Sequence, residues 1–426
     1  MTVLGRTARL RPTRRLITLG VAVAALVVGL AVGSALLAAP AAGVALSVVG
    51  MPFLVEAGLW LVRPIERLLS RRWRRRALKR LTKVRPRVIA VTGSYGKTST
   101  KEHIRDLLES TFRVMASPAS WNNEAGLSRA INERLQPDTE VFVAEMGTYG
   151  RGEIRDLCSW IRPDVSVITA IGPVHLERMG SLDAILEAKA EILENAPVAV
   201  LAVDDPRLAR VAERYERGGG TLWRAYVRQG GDSHPDGRRD VVAIAQDDEV
   251  TVYGAGVRLG SLPAATAHPV NVACSVAAAL AVGTAPETIS LRLPRLAPPQ
   301  HRADVHSHNG LVIVDDTYNA NPAGATAALA RLVRAVPKGR RVVVSPGIVE
   351  LGANQVQANR EFARAVRDAD ATMVVVGWTN RKALLAGAGD NAVCVENRDK
   401  ARMWVRSHLG PGDGILWEND LPDHYP

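Results

Sequence analysis

A short apolar run, Val88-Ile89-Ala90-Val91, passes directly into Thr92-Gly93-Ser94-Tyr95-Gly96-Lys97-Thr98-Ser99-Thr100, and a helical pattern follows from Lys101 to Leu108. So short a β-branched run reads as a buried strand. Strand, glycine loop and helix in that order are the setting of a phosphate-binding loop. Gly93 and Gly96 let successive N–H groups face phosphate oxygens, and the helix N-terminus adds partial positive charge. Lys97 can reach the β- and γ-phosphates of ATP, the Thr98 hydroxyl can ligate Mg2+, and Ser94 and Ser99 lie in the same cradle. Only two residues separate the glycines, where the general pattern has four, so the loop is a shorter variant. An ordinary tight turn would give no reason for the lysine and threonine.

The 426 residues carry a net charge of +11, which by itself suggests nucleic acid or an anionic membrane as partner. The first 90 residues hold 17 Lys and Arg against two acids, a net of +15, and the remainder nets −4. Aromatic residues make up only 4%, which leaves little for base stacking, so no nucleic acid is expected as a partner. From Leu16 to Val55 there is no charge at all. One helix needs about 20 residues to span the hydrocarbon. Two spans are therefore expected, 16–38 and 43–62, with Pro40 and Gly43 at the turn. Basic residues on both flanks place those flanks inside. The expectation is a cytoplasmic membrane protein with two spans and its catalytic domains in the cytoplasm. A cleaved signal peptide ending near Leu37-Ala38-Ala39 is the alternative. It would put a nucleotide site where there is no ATP, and it leaves the second apolar run unexplained. Cys158, Cys274 and Cys394 are odd in number and far apart, so neither a disulfide framework nor a CxxC zinc pair can be read from them.

Farther along, Val141-Phe142-Val143-Ala144 reads as another buried strand, ending on Glu145. A carboxylate there sits at the carboxyl edge of the sheet, where ligands of α/β folds bind. Alternating strands and helices argue for parallel sheets. The division expected is a transmembrane hairpin (1–65), a basic juxtamembrane segment (66–85), a central ATP-binding domain (86–293) and a C-terminal Rossmann-like α/β domain (303–426), the last two joined by the proline-studded hinge at 294–302.

Written T-G-S-x-G-K-T-S-T-K, the loop resembles that of the Mur ligases, the ATP-dependent ligases that add amino acids to the peptidoglycan precursor. Further blocks match the same family in order and spacing: Trp121-Asn122-Asn123-Glu124-Ala125-Gly126, Ala144-Glu145-Met146-Gly147, Gly172-Pro173-Val174-His175-Leu176-Glu177-Arg178, Ala188-Lys189-Ala190-Glu191, His268-Pro269-Val270-Asn271, Gln300-His301-Arg302 and Asp315-Asp316-Thr317-Tyr318-Asn319-Ala320-Asn321-Pro322. The last block looks most like that of the UDP-N-acetylmuramoyl-tripeptide–D-alanyl-D-alanine ligases. The resemblance covers about residues 88–420. It implies that Glu145 and His175 ligate magnesium beside Thr98, and that the amine of Lys189 is carbamylated by CO2 and serves the metal. It also implies that Asn271 lies near the adenine, that Arg302 reaches the phosphates, that Asp316 bonds a ribose hydroxyl, and that Asn321 with Tyr318 and Asn319 lines the nucleotide and amine side. The reaction implied is amide-bond formation from a carboxylate and an amine through an acyl phosphate, with Lys97, Lys189 and His175 at the chemistry.

Two departures bear on the substrate. The family's UDP-sugar-binding domain has its place taken here by the apolar and basic front end, and the family's lysine-containing C-terminal block reads Gly412-Asp413-Gly414-Ile415-Leu416-Trp417-Glu418-Asn419-Asp420. A lipid-linked or polymeric carboxylate, as in poly-γ-glutamate synthesis, is therefore an alternative substrate. A catalytically idle nucleotide-binding scaffold is the alternative from another class, but it would need neither Glu145, His175 nor Lys189.

Overall fold

The computed structural model describes residues 14–37, 40–119, 121–174, 176–229, 237–264, 267–297, 304–317 and 321–419. His175, Arg302, Tyr318 and Asn319 fall outside them, so the roles expected of these residues concern positions that are not described.

Three helices open the chain: α1 (Arg14–Leu36), α2 (Pro40–Val49) and α3 (Met51–Val84). In α1, Leu16–Leu36 is long and apolar enough to cross a membrane, and none of its most apolar stretch is buried. The expected second span is not one helix. Its residues divide between Ala41–Val49 and Met51–Val84, which meet at 74°. Gly50 and Pro52 explain the break. Proline lacks the N–H that would continue α2, and it is favoured in the first turn of a new helix. The far half of α3 packs on α5, and its Ala77 and Leu81 are buried in the main core.

That core lies around a nine-stranded sheet in the order β2-β3-β1-β4-β5-β6-β7-β8-β9. Its strands are β1 (Arg87–Thr92), β2 (Val114–Ala116), β3 (Val141–Glu145), β4 (Val165–Ile168), β5 (Val198–Ala202), β6 (Thr221–Gln229), β7 (Asp240–Gln246), β8 (Glu249–Gly254) and β9 (Val257–Pro263). Pairing is parallel from β2 to β7, and β7-β8-β9 form an antiparallel meander. The helices are α4 (Lys97–Leu108), α5 (Glu124–Arg134), α6 (Glu153–Ile161), α7 (Leu176–Met179), α8 (Leu182–Ala190), α9 (Pro206–Arg217), α10 (Pro269–Ala281) and α11 (Pro286–Arg292). β1 and β3 are buried on both faces, as their unbroken apolar runs require.

A second sheet of six strands follows the order β10-β11-β15-β12-β13-β14. These are β10 (Asp304–His308), β11 (Leu311–Asp316), β12 (Arg341–Ser345), β13 (Ala371–Val376), β14 (Ala392–Val395) and β15 (Gly414–Glu418). All pair in parallel except β10, an antiparallel edge strand. Helix α12 (Pro322–Ala335) follows β11, and α13 (Gln355–Asp368) follows β12. β11, β12, β13 and β15 are short, apolar-rich runs of the kind that reads as a strand. β10 and β14 were not anticipated; β14 holds only Ala392–Val395, too short to show a period.

Candidate active site

β1 delivers the chain into the loop at Gly93 with φ 152° and leaves it at Gly96 with φ 78°. Both positions are restricted by their neighbours as well as by conformation. A Cβ on Gly93 would stand 2.1 Å from Thr169 Oγ1, and one on Gly96 would stand 2.1 Å from Asn271 Oδ1. Helix α10 therefore brings Asn271 directly against the phosphate loop. Ser94 Oγ donates to the carbonyl of Gly172 at 3.0 Å and accepts from its N–H at 2.9 Å, which pins the loop to the segment leading to His175. Lys97 Nζ lies over the loop and donates to the carbonyls of Gly93 (2.8 Å) and Ser94 (3.3 Å). Thr98 is half-buried in the first turn of α4 and Ser99 is buried behind it.

Glu145 ends β3 beside the loop, in register with Val91 of β1. It is 2% exposed. Asn122 Nδ2 donates to its Oε1 at 3.3 Å. Its Oε2 accepts no hydrogen bond and stands 3.4 Å from Lys101 Nζ. Thr98 and Glu145 offer only oxygen donors, the type Mg2+ prefers. Among the described residues no group of three or more His, Cys, Asp or Glu gathers as a metal centre.

Lys101 was not anticipated as part of this site. It is 0% exposed, and its Nζ donates to the carbonyls of Ser117 (2.8 Å) and Ala119 (2.9 Å). Ser117 Oγ in turn accepts from the Glu145 N–H at 3.0 Å. Lys101 thus ties Glu145 to the segment that carries Asn122. The available signal was its position, one helical turn after Lys97 on α4.

Lys189 near the end of α8 is buried, and its amine is held well below the usual lysine range, first by burial and then by the nearby charge of Lys97. Both causes favour the neutral amine over the cation.

From the second sheet, Asp316 ends β11, and Arg331 of α12 lies within electrostatic reach of both Asp316 and His268, the residue ahead of α10. Asn321 caps α12, its Oδ1 accepting from Gly324 N–H at 2.9 Å, so its place in the motif has a local structural reason. The two sheets also touch at Arg178 and Glu350, 3.9 Å apart, with the Arg178 guanidinium over the Tyr149 ring at 4.9 Å. A further buried carboxyl, Glu418, ends β15 opposite Asp316. Ser345 Oγ is its hydrogen-bond partner, and burial pushes its pKa up to about 8. This residue stands in the altered C-terminal block.

Residues 91–232 match the Mur ligase middle domain and residues 301–418 the Mur ligase C-terminal (glutamate ligase) domain. A UDP-N-acetylmuramoyl-tripeptide–D-alanyl-D-alanine ligase of Mycobacterium leprae is 30% identical over 368 residues, 77% of this chain and 70% of that protein. The chain belongs to the Mur ligase family. It is an ATP-dependent ligase that forms amide bonds in peptidoglycan precursor synthesis. MurF from Acinetobacter baumannii superposes with a TM-score of 0.69 at 26% identity, over 81% of this chain and 76% of that one. The MurF ligase of Thermotoga maritima, solved with ADP, has the same fold, with a TM-score of 0.67 at 24% identity over 82% of this chain and 80% of that one.

Proposed function

We propose that this ligase joins the carboxylate of a peptidoglycan peptide precursor to an incoming amine, using a central unit at 86–293 and a C-terminal unit at 303–426. Their separate sheets and cores support that division. The named relatives make the UDP-linked tripeptide and D-alanyl-D-alanine the first substrate pair to test. The reading rests on one juxtaposition: the phosphate loop with Lys97, closed on one side by Asn271 and backed by the buried Lys189.

A carboxylate is a poor electrophile because its leaving group would be oxide. Transfer of the γ-phosphoryl group from ATP gives an acyl phosphate and ADP; the amine then attacks the acyl carbon, and phosphate leaves. In the first step Lys97 and the loop N–H groups neutralise and align the phosphates. Mg2+ would be held by Thr98 and Glu145, joined by His175, and would neutralise charge on the transferring phosphate. Burial and the charge of Lys97 favour the neutral amine of Lys189; that form adds CO2, and loss of a proton would leave a carbamate able to serve the metal. Asn271 serves the adenine, Asp316 the ribose, Arg302 the phosphates from the 294–302 hinge, and the Asn321 turn lines the nucleotide and amine side from the C-terminal unit. Contact between the two units excludes water that would hydrolyse the acyl phosphate. We also read α1–α3 as a membrane element, with the catalytic units on the cytoplasmic side where ATP is available.

The test is ADP release by the purified full-length chain with the UDP-linked tripeptide and D-alanyl-D-alanine, with the product identified by mass. Lys97→Ala should slow it by roughly 10²–10³-fold, as losing one preorganised donor to a developing charge does. Amine-dependent ADP release at the wild-type rate in Lys97→Ala would overturn the mechanism. Turnover only with a lipid-linked carboxylate would keep the chemistry and change the substrate.

A further inference from the structure

We infer that α1–α3 seat the protein on an anionic lipid bilayer with the carboxyl edge of the nine-stranded sheet, and hence the phosphate loop, turned toward the lipid surface. The inference rests on the membrane reading of α1–α3 and adds an orientation and a lipid charge to it.

The register of the front helices comes first. A Cβ on Gly43 would meet Ser34, and one on Gly58 would meet Val23 (2.9 Å) and Leu19 (3.3 Å), so the chain returns along α1 in the opposite direction. One helical turn beyond Gly58 and Leu19, the position of Arg15 comes level with Val62 and Arg63. The apolar stretches of α1 and α3 therefore end at one plane, and both continue into arginine. Outside that plane the large apolar side chains of the helices are exposed, among them Val21, Val28, Phe53, Trp60 and Leu61.

Charge comes second. Arg63, Arg67, Arg71, Arg75, Lys79 and Lys83 recur every fourth residue along α3, and all are exposed. The residues of α3 that face protein are different ones. Ala77 and Leu81 are buried, and the Arg80 guanidinium donates to the carbonyls of Leu135 (2.5 and 2.8 Å) and Asn132 (3.1 Å). A cationic ridge left in solvent where a helix leaves an apolar segment matches the anionic headgroups of a bilayer.

Direction comes third. Arg74 reaches Glu124 (3.9 Å) and Asp156 (3.6 Å), in the first turns of α5 and α6. Both helices begin at the carboxyl edge, where β2 and β3 end. Val84, at the other end of α3, hands the chain to the start of β1 at the opposite edge. The undocked half of α3 thus projects from the edge that carries Gly93–Thr98 and Glu145. From Arg63 to Arg74 a helix covers roughly 16 Å at its standard rise, so the ATP site stands within a few tens of ångströms of the lipid.

Full-length protein carrying Cys394→Ser, which removes the exposed cysteine while Cys158 and Cys274 stay buried, allows a single dye to be placed. A dye at Arg151→Cys reports the carboxyl edge and one at Asp138→Cys the opposite edge. In vesicles of phosphatidylcholine with phosphatidylglycerol and an acceptor-labelled lipid, transfer from the Arg151→Cys dye should be at least about twice that from the Asp138→Cys dye. Equal or reversed transfer would overturn the orientation. Replacing Arg67, Arg71 and Arg75 by Gln should weaken capture by these vesicles about tenfold or more and leave capture by pure phosphatidylcholine unchanged. Equal capture by both vesicle types, or a preference for single-stranded DNA over either, would overturn the lipid assignment. Failure to float with any vesicle would remove the membrane reading as well. None of these outcomes bears on the ligase chemistry, which ADP release tests separately.

Discussion

Glu145 and Glu418 each end a parallel strand at the carboxyl edge of a sheet, each is almost wholly buried, and they are held in opposite ways. Glu145 has Lys101 Nζ at 3.4 Å, a donor from Asn122, and a backbone fixed by Ser117. Glu418 has the Ser345 hydroxyl and, across the strand pair, the carboxylate of Asp316. One is furnished with a cation and the other is left beside an anion. The same residue type in the same topological place is thus set against a lysine in one unit and kept as a neutral acid by burial in the other. A strand-end carboxylate is therefore no guide to function until its neighbours are known.

The sharpest way to break this comparison is to remove the cation. Lys101→Met should leave Glu145 and the carbonyls of Ser117 and Ala119 without their partner. The expected cost is about 3–5 kcal/mol, seen as a large fall in the denaturant midpoint. A midpoint within error of wild type would show that Glu145 does not depend on Lys101.

Glu418→Gln should act in the opposite direction. The folded chain keeps the Glu418 proton up to about pH 8, whereas the unfolded chain releases it near the ordinary glutamate value of 4.5. Stability should therefore fall as pH rises from about 4.5 to about 8 and level off above. At pH 7 the penalty is of order 3 kcal/mol. The Gln variant should recover most of it and flatten the pH dependence of thermal unfolding between pH 5 and 8. A variant less stable than wild type at pH 7 would show that the carboxyl is ionised and paired.

The smallest effect is expected where the two units touch. Arg178→Ala loses an ion pair of 3.9 Å from an arginine more than half exposed, together with the stack on Tyr149. Its cost in stability should be no more than about 1 kcal/mol. A larger loss would mean that this contact, and not the nucleotide, holds the units together.

The parts of the site that were legible in the sequence are those written by local rules. Gly93 and Gly96 are demanded by backbone angle and by close approach, and Glu145 follows from an apolar strand that stops on a carboxylate. Asn271 was placed by resemblance, and the contact with Gly96 supplies its reason. What could not be read depends on contacts between distant segments. Lys101 looks like any surface lysine until Ser117 and Ala119 fold over it. Glu418 looks like a solvated strand end until β11 and β12 enclose β15. The second apolar run looked like a single span because composition does not report the break that Gly50 and Pro52 make. Asn321 was assigned to ligand by its motif, and the fold gives its side chain to the start of α12.

The central claim is that ATP is used at the Glu145 edge, through Lys97, and that the Glu418 edge does not carry the phosphate chemistry. Amine-dependent ADP release measured side by side on the wild type, Lys97→Ala and Glu418→Gln tests it most directly. The account predicts a loss of roughly 10²–10³-fold in Lys97→Ala and a rate within about threefold of wild type in Glu418→Gln. Wild-type ADP release in Lys97→Ala, with its loss in Glu418→Gln, would contradict it.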